Sequence, residues 1–194
     1  MRCRLVGSEM CIRDRVKLMQ QPTGNNEVVL LIPGLKSSEK TFEPLREYLN
    51  DLGYDARLWG LGTHHGKIEK DAERFGKIVT DIVSQTNKKV NVIAWSMGGL
   101  IARETIRNHP DYFDQLITLG TAVIGGAYYT SGALIFNTND SKRIAQLNGP
   151  NAKQLDLPIT AVFSKEDGVV SWPACIDTIN PNVSHYEVGS THLA

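Results

Sequence analysis

The chain lacks much. It has three cysteines in 194 residues, no net charge, no internal repeat and no low-complexity tract. Two of the cysteines, Cys3 and Cys11, fall in the first fifteen residues, which leaves Cys175 alone in the rest. One cysteine builds neither a disulfide framework nor a zinc site. A near-neutral balance without a basic cluster argues against a nucleic-acid partner. No run is long and apolar enough to suggest a membrane span.

The first residues stand apart. "LVGSEMCIRD", Leu5 to Asp14, is the translation of a DNA string that resembles the transposase adapter used to make sequencing libraries. Residues 1–15 are therefore expected to be non-native and are set aside for fold reasoning. They hold Arg2, Arg4, Arg13 and Arg15 against Glu9 and Asp14. Without them 17 basic and 19 acidic residues remain, a net charge of −2. The cytoplasm is the default location, with secretion left open by the uncertain native start. The abrupt stop at "GSTHLA" raises the expectation of a C-terminal truncation.

Residues 16–194 are expected to form one domain, long enough to bury a sizeable core. Strand-like and helix-like segments alternate along them, the pattern of an α/β fold built on a mostly parallel sheet of about six strands with helices on both faces. "EVVLLI", 27–32, reads as a strand buried on both faces. Ser37 or Ser38 is placed to cap a helix running to about Leu52, with Phe42, Leu45, Tyr48 and Leu49 on one side. "YDARLW" reads as a more polar strand nearer an edge. Ile68, Ala72, Phe75, Val79, Ile82 and Val83 make one stripe of an amphipathic helix over 67–86. "KVNVIAW" reads as a central strand and "GGLIARETIRNH" as the helix after it. "QLITLG", "PITAVFS" and "SHYEV" complete the strands. The long segment 120–157 is rich in Gly, Ala, Tyr, Asn and Thr. It is expected to act as a cap-like insertion over a site, with a short helix near Ser141–Leu147.

The chemistry centres on "AWSMGG", Ala94 to Gly99. Ser96 stands between a strand and a helix, as in the G-x-S-x-G turn that lifts a serine hydroxyl above a sheet edge. Ala94 replaces the first glycine. It adds one methyl where strand and helix meet, while Gly98 and Gly99 keep the other side clear.

A nucleophilic serine needs a base. His64 and His65 lie in a glycine-flanked loop before the serine. His109 reads as a surface helix end, and His185 as a strand side chain. His192 falls just beyond the last strand and is preferred. The base needs a carboxylate to hold its tautomer. Asp167, in the Asp-Gly turn after "PITAVFS", is preferred over its neighbour Glu166. Ser96, Asp167, His192 is then the chain order of the α/β-hydrolase triad. Oxyanion donors are expected from the backbone N–H of Met97 and of Leu35 in "IPGLKSS", where Gly34 lets the chain turn.

The segments "LIPGL", "AWSMGGLIARE", "LITLGT", "FSKEDGVVSWPAC" and "STHLA" together resemble an α/β-hydrolase of the small bacterial lipase/esterase type, from about Val28 to the end. Pro33 stands where that family often has histidine before the glycine. The resemblance implies a three-layer α/β-hydrolase fold and a serine hydrolase cleaving carboxylic esters through an acyl-enzyme. It implies no cofactor and no metal, and a small-molecule or lipid ester as partner. It also implies a final helix after "STHLA". Gly34, Trp95, Tyr128 and Tyr129 are expected to line the substrate site. A thioesterase or acyltransferase with the same triad, and an inactive binding protein on the same fold, remain as alternatives. The sequence sets no oligomeric state.

Overall fold

A computed structural model of the chain describes residues 21–125 and 153–192. Residues 1–15, the greater part of the expected cap segment including its short helix, and Tyr128 and Tyr129 lie outside the described residues.

Six strands form one sheet: β1 (Val28–Ile32), β2 (Asp55–Leu58), β3 (Val90–Trp95), β4 (Phe113–Leu119), β5 (Ile159–Phe163) and β6 (Val183–Glu187). Their order is β2-β1-β3-β4-β5-β6, and every neighbouring pair is parallel. Parallel neighbours need crossovers, and three helices supply those that lead from β1 to β4. These are α1 (Glu43–Asp51), α2 (Ile68–Thr86) and α3 (Gly98–Asn108). This is the parallel α/β arrangement that the alternating pattern implies, and it agrees with the α/β-hydrolase fold that the resemblance implies.

The all-apolar run of β1 is explained by its position. All five of its side chains are buried. Val28, Leu30 and Ile32 face the layer made by α2 and α3, where Ile68, Ala72, Phe75 and Val79 pack with Leu100, Ile101 and Ile106. Val29 and Leu31 face the other way, against Phe42, Leu45 and Leu49 at α1. The polar strand β2 lies at the sheet edge, as its composition implies.

One element differs from expectation. The helix expected from Ser37 or Ser38 to Leu52 is broken into two. Ser38 does cap a start, its hydroxyl accepting the Lys40 N–H at 3.3 Å. That start opens a 3₁₀ turn, Glu39–Phe42, and α1 follows from Glu43 with Pro44 in its first turn. Proline lacks an N–H and is tolerated only where a helix begins, so it resets the helix there.

The helix α3 is pinned from below. Arg103 donates to Asp177 Oδ2 at 2.7 Å, with both side chains 1% exposed. Burial alone would push the Asp177 carboxyl up. The Arg103 charge and the hydrogen bonds from Arg103, Asn180 and the Ile179 N–H outweigh burial and hold it below its ordinary range. Among the described residues no helix is long and apolar enough to cross a membrane.

Candidate active site

Parallel strands carry their C-terminal ends to one edge of a sheet, and the loops there face one another. Ser96 follows β3, Gly120 follows β4, Asp167 lies just beyond β5 and His192 beyond β6.

Ser96 has φ 53°, a left-handed conformation that costs a residue with a side chain roughly 1–2 kcal/mol. Neighbours hold it there. Its N–H donates to the Leu119 carbonyl at 2.8 Å, and its carbonyl accepts the Thr121 hydroxyl at 2.8 Å. The turn brings α3 hard against β1. A Cβ on Gly98 would sit 2.6 Å from the Pro33 carbonyl oxygen, so the position after Met97 admits only glycine. Ala94 is completely buried in the core on the α2–α3 side, where its methyl packs without conflict.

His192 Nε2 lies 3.0 Å from Ser96 Oγ, and His192 Nδ1 lies 2.7 Å from Asp167 Oδ2. The imidazole and carboxylate side chains are 6% and 4% exposed. The other carboxylate oxygen, Oδ1, accepts the N–H groups of Val169 and Val170, each at 2.8 Å. The Asp-Gly turn therefore aims one oxygen at the imidazole and ties the other to its own backbone. Asp167 oriented this way sets the tautomer: the Nδ1 proton points to the carboxylate, leaving Nε2 as the acceptor toward the serine.

The β4 strand, which lies between the serine strand and the carboxylate strand, leaves room at its end. Gly120 has φ 55°, and a Cβ there would sit 3.2 Å from both Asp167 Oδ2 and His192 Nδ1. Nothing in the local sequence marks this glycine out. Trp95, expected to line the substrate site, also holds His192. The indole N–H donates to the His192 carbonyl at 3.2 Å, and the rings are tilted at 37° with centroids 5.5 Å apart.

The remaining histidines are engaged elsewhere. His185 Nε2 accepts the Asp177 N–H at 2.9 Å. His109 stacks on Tyr112, and His65 is exposed. His64 is completely buried. Glu166 is exposed, away from the imidazole that Asp167 meets.

Leu35 and Met97 stand at the two loops expected to supply oxyanion donors. Among the described residues neither backbone N–H is taken up by a protein acceptor. Gly34 lies against Trp95, a Cβ on it falling 3.0 Å from the indole ring. A cavity of about 360 Å³ opens beside His192, walled by Phe42, Trp95, Leu119, Val162 and Val188. It borders Asp167 and His192, and Ser96 is not among its lining residues.

Residues 23–164 match the family described as serine aminopeptidase, S33. The chain belongs to that family of α/β hydrolases. Among curated relatives, this S33-type chain is 28% identical over 105 residues to a pimeloyl-[acyl-carrier protein] methyl ester esterase from Aliivibrio salmonicida. It is 32% identical over 116 residues to the serine hydrolase BPHL of Homo sapiens. Each match takes in 54% of this chain and 40% of the relative, so the S33-type chain spans about two fifths of the length of these relatives. Among solved structures, it resembles the mature lipase BlEst2 of Bacillus licheniformis, with a TM-score of 0.65 at 16% identity, covering 90% of this chain and 88% of that one. At that identity the likeness concerns the fold.

Proposed function

We propose that the protein is a serine hydrolase of carboxylic esters, with Ser96 as nucleophile, His192 as general base and Asp167 as the carboxylate that orients it. The observation that carries the reading is the continuous contact from Asp167 Oδ2 through the imidazole to Ser96 Oγ, 2.7 and 3.0 Å long. The left-handed turn at Ser96 supports it, because strain held in place at a polar residue marks functional positions.

In this reading Ser96 Oγ attacks the acyl carbon while its proton passes to His192 Nε2. The imidazolium is stabilised by Asp167 across the Nδ1–H contact. The carbonyl oxygen takes the negative charge and is met by the Leu35 and Met97 N–H groups. Collapse of the tetrahedral species returns the proton to the leaving alcohol. Water then repeats the steps on the acyl-enzyme, releasing the acid and restoring Ser96. Base assistance contributes about 10²–10⁴-fold and each oxyanion donor about 10²–10³-fold. The esterase and lipase relatives support a small-molecule or lipid ester as substrate.

Fluorophosphonate labelling read by intact mass tests the assignment, beside hydrolysis of p-nitrophenyl esters and matched thioesters. One adduct is expected on the parent chain, and none on Ser96→Ala or His192→Ala with folding retained by circular dichroism. A folded parent chain that takes no adduct would point instead to a binding protein on this fold. A rate on thioesters well above that on oxygen esters would move the assignment to a thioesterase.

A further inference from the structure

Away from the serine, the structure keeps one buried polar group whose role is unassigned. His64 has no exposed surface, and among the described residues its Nε2 is the one buried side-chain nitrogen or oxygen without a hydrogen-bond partner. Such a group costs stability, and an apolar ring in its place would avoid that cost. The rest of the residue shows what histidine supplies. Nδ1 accepts the Gly66 N–H at 3.0 Å, which puts the ring proton on Nε2. The ring lies flat on Trp59, with centroids 5.6 Å apart and planes 10° apart. Trp59 is itself fixed, its indole N–H donating to the Gly62 carbonyl at 2.8 Å.

The His64 backbone reaches the loop after β1 in both directions. Its N–H donates to the Ser37 carbonyl at 3.1 Å, and its carbonyl accepts the Lys36 N–H at 2.8 Å. That loop is a turn closed by the Ser37 N–H on the Gly34 carbonyl at 3.1 Å, with Lys36 at φ 58°. Leu35 sits inside the turn. A turn holding a non-glycine residue in the left-handed region persists only when its surroundings fix it. Here the two bonds to His64 do so. A second tie joins the same loops: Glu39 Oε2 accepts the N–H groups of Gly60 and Gly62 at 3.0 and 3.3 Å.

We propose that His64 is a positioning residue for oxyanion stabilisation. Its ring, held between Trp59 and the Gly66 N–H, sets the backbone bridge that fixes the turn carrying the Leu35 N–H. The inference rests on the hydrolase reading of Ser96. His64 touches no substrate in this account and acts only through the loop.

The test uses three variants in the full chain. His64→Ala removes ring and acceptor. His64→Asn keeps an amide oxygen near the place of Nδ1. His64→Phe keeps the ring on Trp59 and offers no acceptor. Amide hydrogen exchange at Leu35 to Ser37 is read together with the fluorophosphonate labelling rate of Ser96 and the kcat and KM for a p-nitrophenyl ester. For folded His64→Ala, exchange in the turn should rise at least about tenfold. Labelling and kcat should fall about 10–100-fold, a part of the loss expected when a whole donor is removed, with KM within about twofold. His64→Asn should recover most of this and His64→Phe little.

Unchanged exchange at residues 35–37 in folded His64→Ala overturns the proposal, whether or not the chain turns over. So does faster exchange with kcat unaltered. Should His64→Ala fail to fold, the Asn and Phe variants decide, and equal rates for the two overturn the role of Nδ1. If Ser96→Ala stays as active as the parent chain, the hydrolase reading itself falls and the oxyanion role falls with it. If Ser96 is required and His64 is not, only the present inference is lost.

Discussion

Trp95 donates its indole N–H to the carbonyl of His192 at 3.2 Å, across 97 positions of sequence. The residue beside the proposed nucleophile thus holds the backbone of the proposed base. Trp95→Phe keeps a ring against the imidazole and deletes the bond. A net hydrogen bond is worth about 1 kcal/mol, or roughly fivefold in a rate that depends on it. The Ser96 labelling rate should fall by about that factor while the circular dichroism spectrum stays the same. A rate equal to the parent's would mean that His192 is held by Asp167 alone.

Gly120→Ala should damage the site without unfolding the chain. The added methyl would lie 3.2 Å from Asp167 Oδ2 and His192 Nδ1, at a left-handed φ of 55°. The backbone conflict costs roughly 1–2 kcal/mol. The side-chain conflict falls on the shortest contact in the site, so labelling should drop by more than about tenfold. Retained labelling with lower stability would show that the carboxylate and imidazole can yield together.

Ser96 offers a measure of stored strain. Ser96→Ala and Ser96→Gly both remove the hydroxyl, but only glycine relaxes at φ 53°. In urea unfolding the glycine variant should be the more stable of the two by about 1 kcal/mol. Equal midpoints would argue against backbone strain at the turn.

His64 makes stability depend on pH. Burial pushes its pKa from 6.5 down to about 4, partly opposed by the Asp71 carboxylate and reinforced by His65. Between those values the unfolded chain binds the proton and the folded chain does not. The contribution of neutral His64 is therefore complete above pH 6.5 and is lost as pH falls toward about 4. The window corresponds to something on the order of 3 kcal/mol. Urea midpoints measured from pH 7.5 to 5 should fall for the parent chain and fall less for His64→Phe. Parallel curves for the two would remove His64 as the source.

Much of this architecture is legible in the residues themselves. "VVLLI" is apolar at every position because β1 is buried on both faces, and "DARL" is mixed because β2 is an edge. The stripe Ile68, Ala72, Phe75, Val79, Ile82 announces α2 because a helix that packs on a sheet needs one apolar side. Ser96, Asp167 and His192 come together because each lies just past a strand, and parallel strands end at one edge. What the sequence hid has a common cause. Gly120 looks like any glycine in a turn until Asp167 and His192 arrive from other strands. Trp95 is expected to line the substrate site, but its N–H finds its acceptor only once His192 is in place beyond β6. His64 and His65 are adjacent and alike on paper. One is buried against Trp59 and the other exposed, a difference set by packing between loops and by no local pattern. The break between the 3₁₀ turn and α1 falls at Pro44, inside the span expected to be one helix.

The site draws one residue from the end of β3, an empty space from the end of β4, and one residue each from beyond β5 and β6. No two of its side chains share an element, and the serine and histidine are 96 positions apart. No partly assembled chain can therefore hold the three groups in register. A covalent probe that needs all of them reacts only with molecules in which four adjacent strands have already docked. Adduct yield would then count molecules in which these four strands are docked, and following it during refolding would time the last of the four to join.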